Sequence, residues 1–124
     1  MSTTKATIRA FQTKDIVPKL WGDEQVVVNN DLYCGKILRL RPGYQSSLHR
    51  HPIKNETMYI LNGQMQIESP KDHIRTVFPT DIIDIPQGVW HRFINPFDKI
   101  CVFAEFSTPH NDEDVERLEE SRGI

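Results

Sequence analysis

The chain has little sulfur, no long apolar run and no dominant charge. Cys34 and Cys101 are its only cysteines and form no CxxC pair, which excludes a disulfide-built scaffold and a cysteine-rich zinc site. Both lie in apolar stretches and read as small buried hydrophobes of a reducing compartment. The opening "MSTTKATIRAFQTKD" lacks the apolar segment that a signal peptide or membrane span needs, so a cytoplasmic protein without membrane contact is expected. Fifteen basic residues face seventeen acidic ones, a net charge of −2, so no field favours nucleic acid. Long helical periods and internal repeats are missing too. At 124 residues the chain suffices for one core.

Short extended segments are what remains. "EQVVVNN", "YCGKILRLR", "ETMYIL", "QMQIES", "IRTVF", "DIIDI", "VWHRFI" and "KICVFAEF" follow one another, separated by Pro42-Gly43, Asn62-Gly63, Pro79, Pro86-Gln-Gly88 and Asn95-Pro96. Alternating β-branched and aromatic residues between such breakers predict an antiparallel all-β sandwich or barrel. Asn62-Gly63 predicts a hairpin that returns the next strand beside the first. In "NDEDVERLEESRGI", Val115 and Leu118 are three apart, acids fill the first turn and Gly123 stands at a C-cap position, so a short terminal helix is expected. The predicted organisation is an arm or edge strand over 1–20, a barrel over 21–110 and a helical tail over 111–124.

The chemistry concentrates in "SLHRHPIKNETMYI". Side chains two apart on a strand share a face, so His49 and His51 point the same way. Glu56 re-enters a strand after a bend, with Met58 and Ile60 on its face. If that face is interior, two imidazoles and a carboxylate converge among apolar side chains, and a divalent cation offsets the cost of burying the carboxylate. The plain alternative is an accidental HxH with both rings in solvent.

A second stretch, "PQGVWHRFIN", places His91 on a strand after a Pro-x-Gly turn and ends at Asn95. Together, Gly43-x5-His49-x-His51-x4-Glu56-x6-Gly63 and Pro86-x-Gly88-x2-His91-x3-Asn95 resemble the two motifs of the cupin superfamily. The glycine that opens the second motif in cupins falls here at Thr80. The resemblance implies a jelly-roll, double-stranded β-helix barrel. It also implies one divalent transition metal (Zn, Mn, Fe, Ni or Co) held by His49, His51, Glu56 and His91, with open positions for a small molecule. The Trp21-Gly22 opening, the Tyr33-x-x-Lys36 strand, the Pro42-Gly43 turn and the closing "AEFSTPHNDEDVERLEESRGI" make the chain, from about Lys19 onward, similar to the mannose-6-phosphate isomerase domain of the type II kind. That domain often carries Gln where His49 stands. It closes on an arginine where Ile124 stands, with Arg122 two places earlier.

This implies a metal-dependent sugar or sugar-phosphate isomerase, exchanging aldose and ketose through an enediolate, in a homodimer. An Fe(II) dioxygenase and a non-catalytic binding module are the alternatives. Lys36 is in phase with Leu38 and Leu40, so it either projects inward to meet an anion or snorkels from the strand end. Glu105 shares a face with Cys101 and Phe103, and is either an inward carboxylate for proton transfer or a surface acid. Glu105 and Lys36 are the catalytic candidates. Lys36, Trp21, Met58, Phe93 and Arg122 are the candidate substrate contacts, Trp21 serving as a wall of the mouth or as a pin for the arm. His73 and His110 read as solvent-exposed.

Overall fold

A computed structural model describes residues 6–13, 15–70 and 73–124. The part of the predicted arm at 1–5 and 14 lies outside the described residues. The described residues form thirteen strands: β1 (Ile16–Lys19), β2 (Gly22–Asn29), β3 (Cys34–Leu40), β4 (Tyr44–Gln45), β5 (Leu48–Arg50), β6 (Glu56–Asn62) and β7 (Met65–Ser69). There follow β8 (His73–Val77), β9 (Ile82–Ile85), β10 (Arg92–Asn95), β11 (Cys101–Ser107), β12 (Glu116–Glu119) and β13 (Arg122–Gly123). A six-stranded sheet runs β1-β2-β3-β11-β6-β9, a five-stranded sheet β13-β4-β10-β7-β8, and β12 pairs with β5. The fold is an all-β, antiparallel jelly roll, as the punctuated alternation implies.

The inner face of the larger sheet changes character along its strands. Register sets Leu38 against Phe103 and Phe103 against Ile60; two residues further, Lys36 faces Glu105 and Glu105 faces Met58. One end is thus closed by Leu40, Ile60, Cys101 and Phe103, all at most 1% exposed. Burying side chains of this size contributes roughly 1.5–3 kcal/mol each. The other end carries Lys36, Glu105 and Glu56, all buried. The core supplies stability at one end and leaves the charged chemistry at the other.

Two expectations are corrected. Asn62-Gly63 is not a hairpin turn, because β6 already has β11 and β9 on its two edges while β7 pairs with β10 and β8. The turn is a corner between sheets. Gly63, at φ 78°, backs so closely onto the Ile100 carbonyl that any Cβ would collide with it. The terminal helix is also absent: β12 and β13 are extended. With only Val115 and Leu118 as an apolar stripe, a lone helix has little to bury. Pairing with β5 and β4 instead gives the backbone ladder partners. Arg50 to Glu116 at 2.8 Å and Arg92 to Glu119 at 3.1 Å fasten it.

Candidate metal centre

Three imidazoles meet at the charged end. His49 lies on β5, His51 just after it and His91 just before β10. His49 and His91 form an antiparallel bridge. Ring centroids are 4.4 Å apart for His49–His91 and 5.2 Å for His49–His51. Each ring has its Nδ1 on a backbone carbonyl: Ser47 at 2.8 Å for His49, Asp114 at 2.6 Å for His51 and Val89 at 2.8 Å for His91. A carbonyl only accepts, so each Nδ1 carries the proton and each neutral ring presents Nε2 as a lone pair. One ring nitrogen from each lies within 4.8 Å of the others. Fixing the second nitrogen in this way is how proteins orient imidazoles toward a metal.

Burial keeps the rings neutral. It is the largest cause in each case, lowering His49 to about 3 with help from His91, and His51 to about 4 with help from Lys54. His91 is lowered too, again chiefly by burial. Its Nε2 is buried with no hydrogen-bond partner, and a buried unpaired nitrogen is costly unless a cation takes it. Glu56 Oε1 lies 3.4 Å from His51 Nε2 and 3.7 Å from His91 Nε2. Three nitrogens and a carboxylate oxygen, without thiolate, fit a divalent transition metal.

Beside this cluster is a cavity of about 870 Å³, lined in part by His49, His51, Lys36, Lys54, Glu105 and Phe93. His91 borders a smaller cavity of about 360 Å³. Lys36 points inward, in phase with Leu38, and its Nζ lies 3.6 Å from Glu24. Glu105 is buried between β3 and β6. Burial first, then a hydrogen bond and the charge of Glu56, push its carboxyl up to about 7, against the pull of Lys54 and Lys36. Trp21 and Phe93 both line the cavity and pack in the core. Met58 is wholly within the core. Arg122 is exposed on β13, 3.8 Å from Glu119, and is not brought to the cavity.

Three contributors carried no signal in the sequence. Lys54, in the bend between the histidines and Glu56, is 3% exposed, with Nζ 3.7 Å from Glu56. Asp114 accepts from Ile53 N and Lys54 N, both at 2.9 Å, while its own carbonyl holds His51. His110 is half-buried rather than solvent-exposed, because its Nδ1 accepts from Lys54 at 3.1 Å. All three depend on contacts between segments remote in sequence. His73 is exposed at the start of β8.

A double-stranded β-helix with three imidazoles converging at one end is the architecture of cupins. The chain belongs to that family: residues 36–107 match the Cupin domain. Over 108 residues it is 26% identical to the mannose-1-phosphate guanylyltransferase of Sinorhizobium fredii, covering 87% of this chain and 21% of that protein. It therefore spans about a fifth of the length of that curated relative. The polyketide cyclase RemF of Streptomyces resistomycificus superposes with a TM-score of 0.76 at 18% identity, over 90% of this chain and 86% of that one. A sugar phosphate isomerase of the cupin superfamily from Silicibacter pomeroyi gives 0.59 at 22% identity, over 75% and 67%. At these identities the likeness to the two solved structures is one of fold. Among the described residues no helix is long and apolar enough to cross a membrane.

Proposed function

We propose that this cupin is a metal-dependent isomerase of a sugar or sugar phosphate, with His49, His51, Glu56 and His91 as the metal ligands. One observation carries the reading: three imidazoles, each held at Nδ1 by a backbone carbonyl, aim their other nitrogens together beside a cavity of about 870 Å³. The volume is within the range of small-molecule sites. The sugar phosphate isomerase of like fold and the mannose-1-phosphate guanylyltransferase relative support a sugar phosphate as the guest.

A bound divalent cation would supply positive charge to the oxygens of an aldose or ketose as an enediolate develops. The chain itself has to move a proton between neighbouring carbons. Glu105 is placed for this. Its carboxyl, raised to about 7, gives or takes a proton near neutral pH, where general acid–base catalysis is most effective. Lys36, opposite Glu105 in register, sets a positive charge beside that carboxyl. Trp21 and Phe93 give the cavity an apolar wall and limit water.

The test is to incubate the metal-loaded protein with mannose 6-phosphate in D₂O and follow C2 by NMR. Deuterium should enter C2, a chelator should stop it, and Glu105→Gln should slow it by roughly 10²-fold or more. Undiminished exchange in His91→Ala would overturn the mechanism. Substrate-dependent oxygen uptake by the iron form would favour the dioxygenase alternative.

A further inference from the structure

Two buried lysines in one small barrel call for a physical reason. Lys36 is 5% exposed and Lys54 3% exposed, and both line the large cavity. An ammonium carries three donors. Lys36 Nζ stands 3.6 Å from Glu24 Oε2, and Lys54 Nζ stands 3.7 Å from Glu56 Oε2. Both distances exceed ordinary hydrogen-bond length, so the carboxylates balance charge without using up the donors. Lys54 is also aimed. His110 Nε2 donates to Asp112 at 2.8 Å, which leaves Nδ1 to accept from Lys54 at 3.1 Å. A surface lysine would snorkel; these two are held inward.

The charge balance depends on the cation. The two lysines offset two of the three carboxylates Glu24, Glu56 and Glu105, leaving the set neutral or singly negative according to the proton on Glu105. Adding a divalent cation makes the set net positive in either case. Around these buried groups, excess positive charge and spare ammonium donors favour an anion beside them.

We infer that Lys36 and Lys54 form an anion subsite that selects guests bearing a phosphate or carboxylate, and that it becomes competent when a cation sits on the histidine cluster. This rests on the metal reading of the site and narrows its substrate class: a neutral sugar leaves the excess charge of the cation-loaded cluster unbalanced, whereas an acidic one offsets it and takes up the spare ammonium donors. Lys54 is then a specificity-determining residue, and the His110–Asp112 pair positions it.

Inorganic phosphate and acetate, titrated calorimetrically into chelator-treated protein and into protein carrying one equivalent of Co(II), test this without any turnover. The loaded form should bind one anion roughly tenfold or more tightly than the metal-free form, a usual size for coupling between sites. Phosphate preference points to a phosphorylated guest, acetate preference to a sugar acid. Lys36→Met and Lys54→Met should each weaken the anion about tenfold while Co(II) stoichiometry and its visible spectrum stay unchanged. Should Lys54→Met fail to fold, Lys36→Met and the comparison of loaded with metal-free protein still decide. Normal Co(II) uptake with no anion bound, or with binding indifferent to both lysine variants, overturns the subsite alone. Absence of Co(II) uptake overturns the metal reading, and the subsite with it.

Discussion

His49 and His91 exchange both of their backbone hydrogen bonds, His49 N–H to the His91 carbonyl at 3.0 Å and His91 N–H to the His49 carbonyl at 2.8 Å. The two rings are therefore set side by side by main chain rather than by packing, with centroids 4.4 Å apart. Gly88, at φ 80°, donates to the His51 carbonyl at 2.8 Å, which ties the Pro86-Gln-Gly turn to the third imidazole. The cluster is pre-organised, so little ordering is needed when a cation arrives.

Cation binding should therefore stabilise the fold measurably. At a hundredfold excess over Kd, linkage gives about 2.7 kcal/mol, seen as a rise in Tm on adding Zn(II), Mn(II) or Co(II) and reversed by chelator. His49→Ala and His91→Ala should abolish the rise. A full rise in either variant would place the cation elsewhere.

The pH dependence of the chelated protein follows from the shifted groups. His49, His51 and His91 are depressed below 6.5 on folding, so the unfolded chain binds more protons and stability is lost as pH falls from 6.5 toward 4. Glu105 acts in the opposite sense: raised from 4.5 to about 7, it contributes stability that is full below pH 4.5 and is lost as pH rises through 7. His110 is lowered as well, so four imidazoles outweigh one carboxyl, and net proton uptake favours unfolding as pH falls below 6.5, by about 1.4 kcal/mol per pH unit for each net proton. Thermal melts from pH 7 to 5 should show this loss. His51→Gln should flatten it and Glu105→Gln should steepen it; a flat wild-type profile contradicts the assignment.

Asp114 links the C-terminal segment to the site through two carboxylate hydrogen bonds to Ile53 and Lys54 and one carbonyl bond to His51. Asp114→Ala should cost about 1.5–3 kcal/mol in urea unfolding, as for buried bonds to a charged group. The main-chain carbonyl that holds His51 survives this change, so cation affinity should fall only through loosening of the segment, by less than the roughly tenfold of losing an outer partner outright. Unaltered affinity in a destabilised variant would make Asp114 structural only.

Thr80 adopts φ 75° in the turn before β9, at the position where the second cupin motif carries glycine. The left-handed region costs a β-branched residue roughly 1–2 kcal/mol. Thr80 is exposed, and its N–H donates to the Ile60 carbonyl at 2.9 Å, a bond that glycine keeps. Thr80→Gly should raise the urea midpoint by the equivalent of about 1 kcal/mol, whereas Thr80→Ala should not. A lowered midpoint for the glycine variant would contradict the strain.

Strand alternation, the shared face of His49 and His51 and the common face of Lys36, Leu38 and Leu40 were all legible in the amino-acid order, because they follow from the period of two in an extended backbone, whereas that period alone does not give the inward direction of Lys36. Partner choice was not local. β6 turned from β7 to β9 and β11, and the acidic tail became strands on β5 and β4, because backbone groups and apolar faces compete for cover across the whole chain. Lys54, His110 and Asp114 acquired their roles only when the segment after β11 folded back over the bend before β6. Such contacts depend on where the closed barrel brings remote loops together, which no local spacing encodes.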